Sequence, residues 1–229
     1  MTTPRTSPPL RRSTSPRPND EPVPPSVAEL RAALAPLRAL VPDRRVSHVE
    51  SLRIAERQAH ALRVLLHIEG DYIDTDAIAS IARIQIDLVE DIPLSGASFW
   101  SGDSWHVHIR ADEPLTHRRF TAFHELKHIL DHPVQHYVYD ERAFVCYGER
   151  ELIADYFAAC VLVPEDRLRA AYAQTHDHRE LANRFGVSVR RILHRLSELD
   201  LTETIESIPE RAINPEDYLL GTPDPAQPE

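Results

Sequence analysis

Residues 124–128 read His-Glu-Leu-Lys-His, and this stretch constrains the fold more than any other. On a helix, residues four apart project from nearly the same face, one turn from each other. Two imidazoles placed this way can hold one Zn²⁺. Glu125 sits one residue round the helix, where it need not bind the ion and can take a proton from a water that the ion activates. The chain holds 13 histidines, so a surface helix with ordinary histidines is the competing reading. Residues further along the chain decide between them.

A catalytic zinc needs a third protein ligand and an open position. The run Glu151-Leu-Ile-Ala-Asp155-Tyr-Phe-Ala-Ala-Cys160-Val-Leu-Val-Pro164 has Leu152, Tyr156, Ala159 and Val163 at helical spacing, and Pro164 closes it. Glu151 opens this predicted helix and Asp155 follows one turn later on the same face. The pattern suits Glu151 as the third ligand, with Asp155 orienting a ligand histidine, His124, through its other ring nitrogen. Glu149 is the rival ligand. Asp131 lies off the line of the two histidines, and His132 continues their spacing, either beside the site or as a plain helix-end residue. No third histidine stands six residues after His128; position 134 is Val.

Together, Arg119-Phe-Thr-Ala-Phe-His-Glu-Leu-Lys-His128 and Glu151-x-x-Ala-Asp-Tyr-Phe-Ala-Ala-Cys-Val-Leu-Val-Pro164 resemble the ImmA/IrrE family of metallopeptidases, over about residues 50–200. The resemblance implies His124, His128 and Glu151 as ligands of a single Zn²⁺ and Glu125 as the catalytic acid/base. It also implies a protein substrate, a helix-turn-helix repressor whose cleavage controls a mobile-element or stress regulon. Lys127 stands where many members have Gly, and Val163 where many have Met.

Composition sets the outer limits. The chain's 19 prolines concentrate at its ends, leaving a core domain over 27–200 between a disordered Pro/Arg-rich arm (1–26) and an acidic Pro-containing tail (201–229). No apolar run approaches about 18 residues, and the N-terminus lacks the apolar stretch of a signal peptide. The expectation is a cytoplasmic protein with no membrane segment. Cys146 and Cys160 form no metal-binding pair, and Cys160 reads as a small buried hydrophobe. A net charge of −10 argues against general nucleic-acid binding.

Along the core, Leu30, Leu34 and Leu37 suggest a short helix, and 47–68 a longer one on Val49, Leu52, Ala55, Ala59, Leu62, Leu65 and Leu66. Residues 75–83 add a turn of helix. Alternation then predicts strands at 84–88, 96–100 and 105–109, with Gly102-Asp103 as a turn. The predicted fold is α+β, mostly helical and zincin-like, with a small three-stranded, mainly antiparallel sheet just before a zinc helix over 116–132. An exposed edge of that sheet can pair with an extended peptide. Residues 134–147 read as a loop whose tyrosines or histidines include a candidate oxyanion donor.

Residues 178–199 read as a helix-turn-helix-like hairpin. Gly186 lies in the turn, Ser188 caps the second helix, and Arg190, Arg191 and Arg195 make that helix basic. It is either a DNA-reading element or a hairpin packed on the core. The leading expectation is a zinc endopeptidase. The alternatives are a DNA-binding regulator and a non-catalytic repressor-binding protein, each with a zinc-stabilised fold.

Overall fold

The structure is a computed structural model that describes residues 34–139 and 145–201. The arm over 1–26, the positions Val27 and Leu30, and the tail beyond 201 lie outside the described residues. Residues 34–38 are helical. Helix α1, His48–Leu65, begins where the Ser47 hydroxyl accepts from the Glu50 amide at 3.3 Å. Its buried stripe is Ser51, Ile54, Ala55, Gln58, Ala59 and Leu62, while Val49 and Leu65 face outward. Two polar residues occupy core positions because each has a backbone partner: Ser51 donates to Val138 O at 3.0 Å and Gln58 to Leu37 O at 3.1 Å.

A one-turn helix α2, Asp76–Ala79, leads into the sheet of β1 Ile84–Val89, β2 Gly96–Trp100 and β3 Trp105–Arg110. The three strands alternate in direction, yet their spatial order is β1-β3-β2. The expected mainly antiparallel sheet is therefore mixed: β2 pairs antiparallel with β3, and β1 pairs parallel with it. Burial explains the order. Val107 and Ile109 are fully buried, whereas Leu88 on β1 and Phe99 and Trp100 on β2 are exposed, so β3 takes the centre.

Helix α3, Leu115–Asp131, packs on this sheet. The segment expected as a loop contains a one-turn helix α4, Gln135–Val138. Helix α5, Val145–Leu162, is the central helix, packed against both α1 and α3. Ile153, Ala154, Phe157, Ala158, Val161 and Leu162 are all buried. Of the predicted stripe, Ala159 and Val163 are buried and Tyr156 packs on the core, while Leu152 faces outward, because a helix surrounded by neighbours has no single apolar face to read. Cys160 is buried as expected, and burial pushes its thiol up to about 12. Among the described residues no helix is long and apolar enough to cross a membrane.

After Pro164, helix α6 Glu165–Tyr172 leads to the hairpin of α7 His178–Phe185 and α8 Val189–Glu198. The turn is built as the sequence suggests. Gly186 is left-handed (φ 63°, ψ 42°), and Ser188 caps α8 by accepting from the Arg191 amide at 3.2 Å. Two of the three arginines that suggested DNA reading face the protein instead. Arg195 is buried, donating to Val163 O at 3.2 Å and to Glu198 at 2.9 Å. Arg191 lies 3.8 Å over the Phe120 ring of α3.

The hairpin turn is held to α3 by Arg119. This buried side chain donates to the carbonyls of Ile73, Phe185 and Gly186 and lies 3.9 Å from the centre of the Tyr72 ring. A methyl group at Gly186 would overlap both Arg119 and Tyr72. Gly186→Ala is therefore expected to destabilise the chain by about 1–3 kcal/mol from left-handed strain alone, with the overlap added. Denaturant unfolding measures this; unchanged stability would mean that the turn and Arg119 are not coupled.

Toward its C-terminal end α3 carries a buried polar network. The chain's one lysine, Lys127, donates to Asp131 and Gln58, both at 2.7 Å, and the Tyr139 hydroxyl donates to the other Asp131 oxygen. Burial pulls the Lys127 pKa down, and Asp131 opposes it. Asp131→Ala strands a buried ammonium and is expected to cost about 3–5 kcal/mol. Lys127→Met with Asp131→Leu is expected to cost less. Equal losses in unfolding experiments on the two chains would show that the ion pair is not what matters at this position.

Candidate metal centre

The i, i+4 spacing on α3 brings His124 and His128 together as expected, their Nε2 atoms 3.0 Å apart. From α5, Glu151 reaches both: Oε2 lies 3.0 Å from His124 Nε2 and Oε1 lies 3.5 Å from His128 Nε2. Helix α5 starts six residues before Glu151, so Glu151 lies in its second turn rather than at its opening. Glu149 is already helical and points elsewhere, accepting from His48 Nδ1 at 3.0 Å. Asp155, one turn beyond Glu151, lies 2.7 Å from His124 Nδ1.

These distances fix the chemistry of the cluster. A carboxylate accepts, so His124 donates its Nδ1–H to Asp155 and turns the Nε2 lone pair toward Glu151 and His128. With the Nε2 protons shared with Glu151 given up, both imidazoles and the carboxylate offer electron pairs to one point. Burial alone disfavours a charged His124, but Asp155 and Glu151 outweigh it and push its pKa up to about 10. Burial likewise would raise Glu151, yet its hydrogen bonds to both histidines hold it well below the usual carboxylate range. The cluster thus favours positive charge at its centre. Zinc–ligand arms of about 2.0–2.1 Å give a tetrahedron with edges of about 3.3 Å, against the 3.0, 3.0 and 3.5 Å observed. His124, His128 and Glu151 could therefore hold a zinc ion. His128 Nδ1 is buried without a hydrogen-bond partner among the described residues.

Glu125 projects beside this group and is itself mostly buried. The Ser98 hydroxyl of β2 donates to its Oε2 at 2.8 Å. The strand can come this close because residue 96 is glycine. A Cβ there would collide with Thr121 and crowd the Glu125 side chain.

The family model described as Peptidase M78, the IrrE N-terminal-like domain, matches residues 81–197. The chain belongs to this family. The match begins just before β1 and ends in α8, so the hairpin is part of the family's unit together with the sheet and α3. A relative called a propionyl-CoA carboxylase regulator, from Cereibacter sphaeroides, is 30% identical over 129 residues, covering 54% of this chain and 27% of that protein. A solved Mycobacterium tuberculosis transcriptional regulator overlays at TM-score 0.48 and 20% identity, over 72% of this chain and 51% of that one. The chain thus spans about a quarter of the first and about half of the second.

His132 does not join the cluster; it sits edge-on to Trp105 with ring centres 5.2 Å apart. Among the expected oxyanion candidates, Tyr139 commits its hydroxyl to Asp131, and the side chain of Tyr147 lies outside the described residues. Ser98 escaped the sequence reading. The signal was present in the small residues Gly96, Ala97 and Ser98, which allow close approach to a helix, but no local pattern says which helix.

Proposed function

We propose that this chain is a zinc-dependent endopeptidase that hydrolyses a peptide bond in a regulatory protein. The substrate class is a helix-turn-helix repressor, and its loss switches on a mobile-element or stress regulon. The observation that carries the reading is the convergence of His124, His128 and Glu151 beside a Glu125 held from below by Ser98. Membership of a peptidase family supports the hydrolytic part, and the relative named as a propionyl-CoA carboxylase regulator supports the regulatory part.

In this reading His124, His128 and Glu151 hold the ion. Zinc, when bound, supplies a Lewis acid that brings the pKa of water toward neutrality and polarises a peptide carbonyl. Glu125 takes the proton from the attacking water and passes it to the leaving amine. Ser98 fixes the carboxylate orientation in which the proton is received. Asp155 keeps His124 in the tautomer that presents Nε2. Among the described residues strand β2 is paired along one edge only, which leaves the other edge to align an extended substrate segment next to Glu125. A DNA-reading role for the hairpin is not favoured, because Arg191 and Arg195 are spent on Phe120, Val163 and Glu198.

The test compares new protein N-termini in host cells producing the wild-type chain or Glu125→Gln. A new terminus in a DNA-binding regulator, seen with wild type alone, is the expected result. Identical termini in both, with the regulon still induced by Glu125→Gln, would replace the peptidase with a repressor-binding protein.

A further inference from the structure

We propose that Asp87, His106 and His108 form a second site, for a borderline divalent transition-metal ion such as Zn²⁺, on the face of the sheet turned away from α3. The strand register builds it. Asp87 on β1 lies directly across from His108 on β3, and His106 precedes His108 by two residues, so all three share one face. That face is opposite the first cluster: Gly96 and Ser98 point at α3, whereas Ala97 and Phe99 alternate to the other side.

Asp87 Oδ2 lies 3.3 Å from His106 Nδ1 and 3.9 Å from His108 Nε2. The ligand atoms of the three residues all lie within 4.8 Å of one another. The two shorter separations approach the edge of about 3.3 Å that a tetrahedral zinc site requires, and a small rotation of the exposed Asp87 side chain covers the remainder. Two imidazoles and one carboxylate on an open face leave a position for water and suit zinc, nickel or copper better than calcium or magnesium.

The hydrogen-bond surroundings of His106 are those a ligand histidine can use. The Ser104 hydroxyl has one hydrogen to share among Asp103 at 3.0 Å, Ser101 Oγ at 3.2 Å and His106. When that hydrogen goes to Asp103, the hydroxyl accepts from His106 Nε2, 3.3 Å away, and His106 is in the tautomer whose Nδ1 lone pair faces Asp87. A cation between Nδ1 and the Asp87 carboxylate, 3.3 Å apart, suits that tautomer. A hydrogen-bonded far nitrogen is also the usual support of a ligand histidine. Phe99 stacks on His106 (ring centres 5.4 Å, 11° between planes) and meets His108 edge-on at 4.9 Å, restricting both rings and covering one side of the site. Arg110, on the same face of β3, is directed to Asp112 and Glu113.

The test is zinc binding to the untagged full-length chain, by equilibrium dialysis and metal analysis, and it does not depend on the peptidase reading. His124→Gln with His128→Gln is expected to retain one zinc equivalent through the sheet. Adding His106→Gln and His108→Gln should remove that equivalent, and Asp87→Asn alone should weaken it at least about tenfold. In the otherwise wild-type chain, His106→Gln with His108→Gln should lower the zinc content by one equivalent. The proposal is overturned if the chain lacking His124 and His128 binds no zinc, which is the outcome for an imidazolium–carboxylate pair. It is equally overturned if zinc content is unchanged when His106 and His108 are replaced.

Discussion

Glu125→Gln is expected to retain zinc and to lose peptide hydrolysis by about 10²–10⁴-fold, the usual worth of a positioned general base. That loss corresponds to about 3–5 kcal/mol of barrier. The substitution preserves the volume of the side chain and an oxygen that can accept from Ser98, whose hydroxyl reaches Glu125 at 2.8 Å. Only the ability to receive and return a proton is removed. Glu125 is not among the three groups that face the proposed ion, so metal content should stay at the wild-type level. Single-turnover cleavage of the identified substrate, with zinc measured on the same samples, reads both quantities. Full activity in this variant would sink the mechanism.

The second large effect is on the ion. Glu151→Ala removes the carboxylate that reaches both imidazoles and leaves their Nε2 atoms 3.0 Å apart with nothing to offset the charge placed between them. Zinc affinity should fall by more than the roughly 10–100-fold that follows loss of an outer partner of a ligand histidine. Asp155→Asn is such an outer loss, and should fall within that range because an amide oxygen can still accept from His124 Nδ1. Competition with a chromophoric chelator separates the two variants. Unchanged affinity in Glu151→Ala would move the third ligand elsewhere, with Glu149, now turned to His48, the first residue to examine.

Local patterns made the first cluster visible because its members sit at helical spacing inside two short blocks. Asp155 was legible for the same reason, and so were the hairpin turn at Gly186 and the cap at Ser188. Less legible was anything that depends on which elements become neighbours. The three strands lie where alternation predicts them, but the placement of β3 between β1 and β2, which makes the β1 pairing parallel, comes from the burial of Val107 and Ile109. The face of α1 was shifted because Ser51 and Gln58 are buried on backbone acceptors from distant segments. Arg191 and Arg195 looked like a basic surface until Phe120, Val163 and Glu198 were brought against them. Ser98 was invisible as a partner of Glu125 for the same reason: its role exists only once the sheet lies on α3.

The pairing of β2 with β3 has a consequence for the proton acceptor. Side chains on a strand alternate between faces, so a slip of one residue exchanges every inward group for its outward neighbour. In the observed alignment Ser98 stands opposite Val107 and Phe99 opposite His106. Shifted by one, an aromatic ring would lie where the hydroxyl now meets Glu125, and the carboxylate would lose its orienting hydrogen bond without any change in the ligand set. The tight connection at 101–104, with Gly102 at φ 107° and the Ser101 amide bonded to Ser104 O at 2.9 Å, locks that alignment. Faithful closure of one small hairpin therefore determines whether the base beside the ion is aimed.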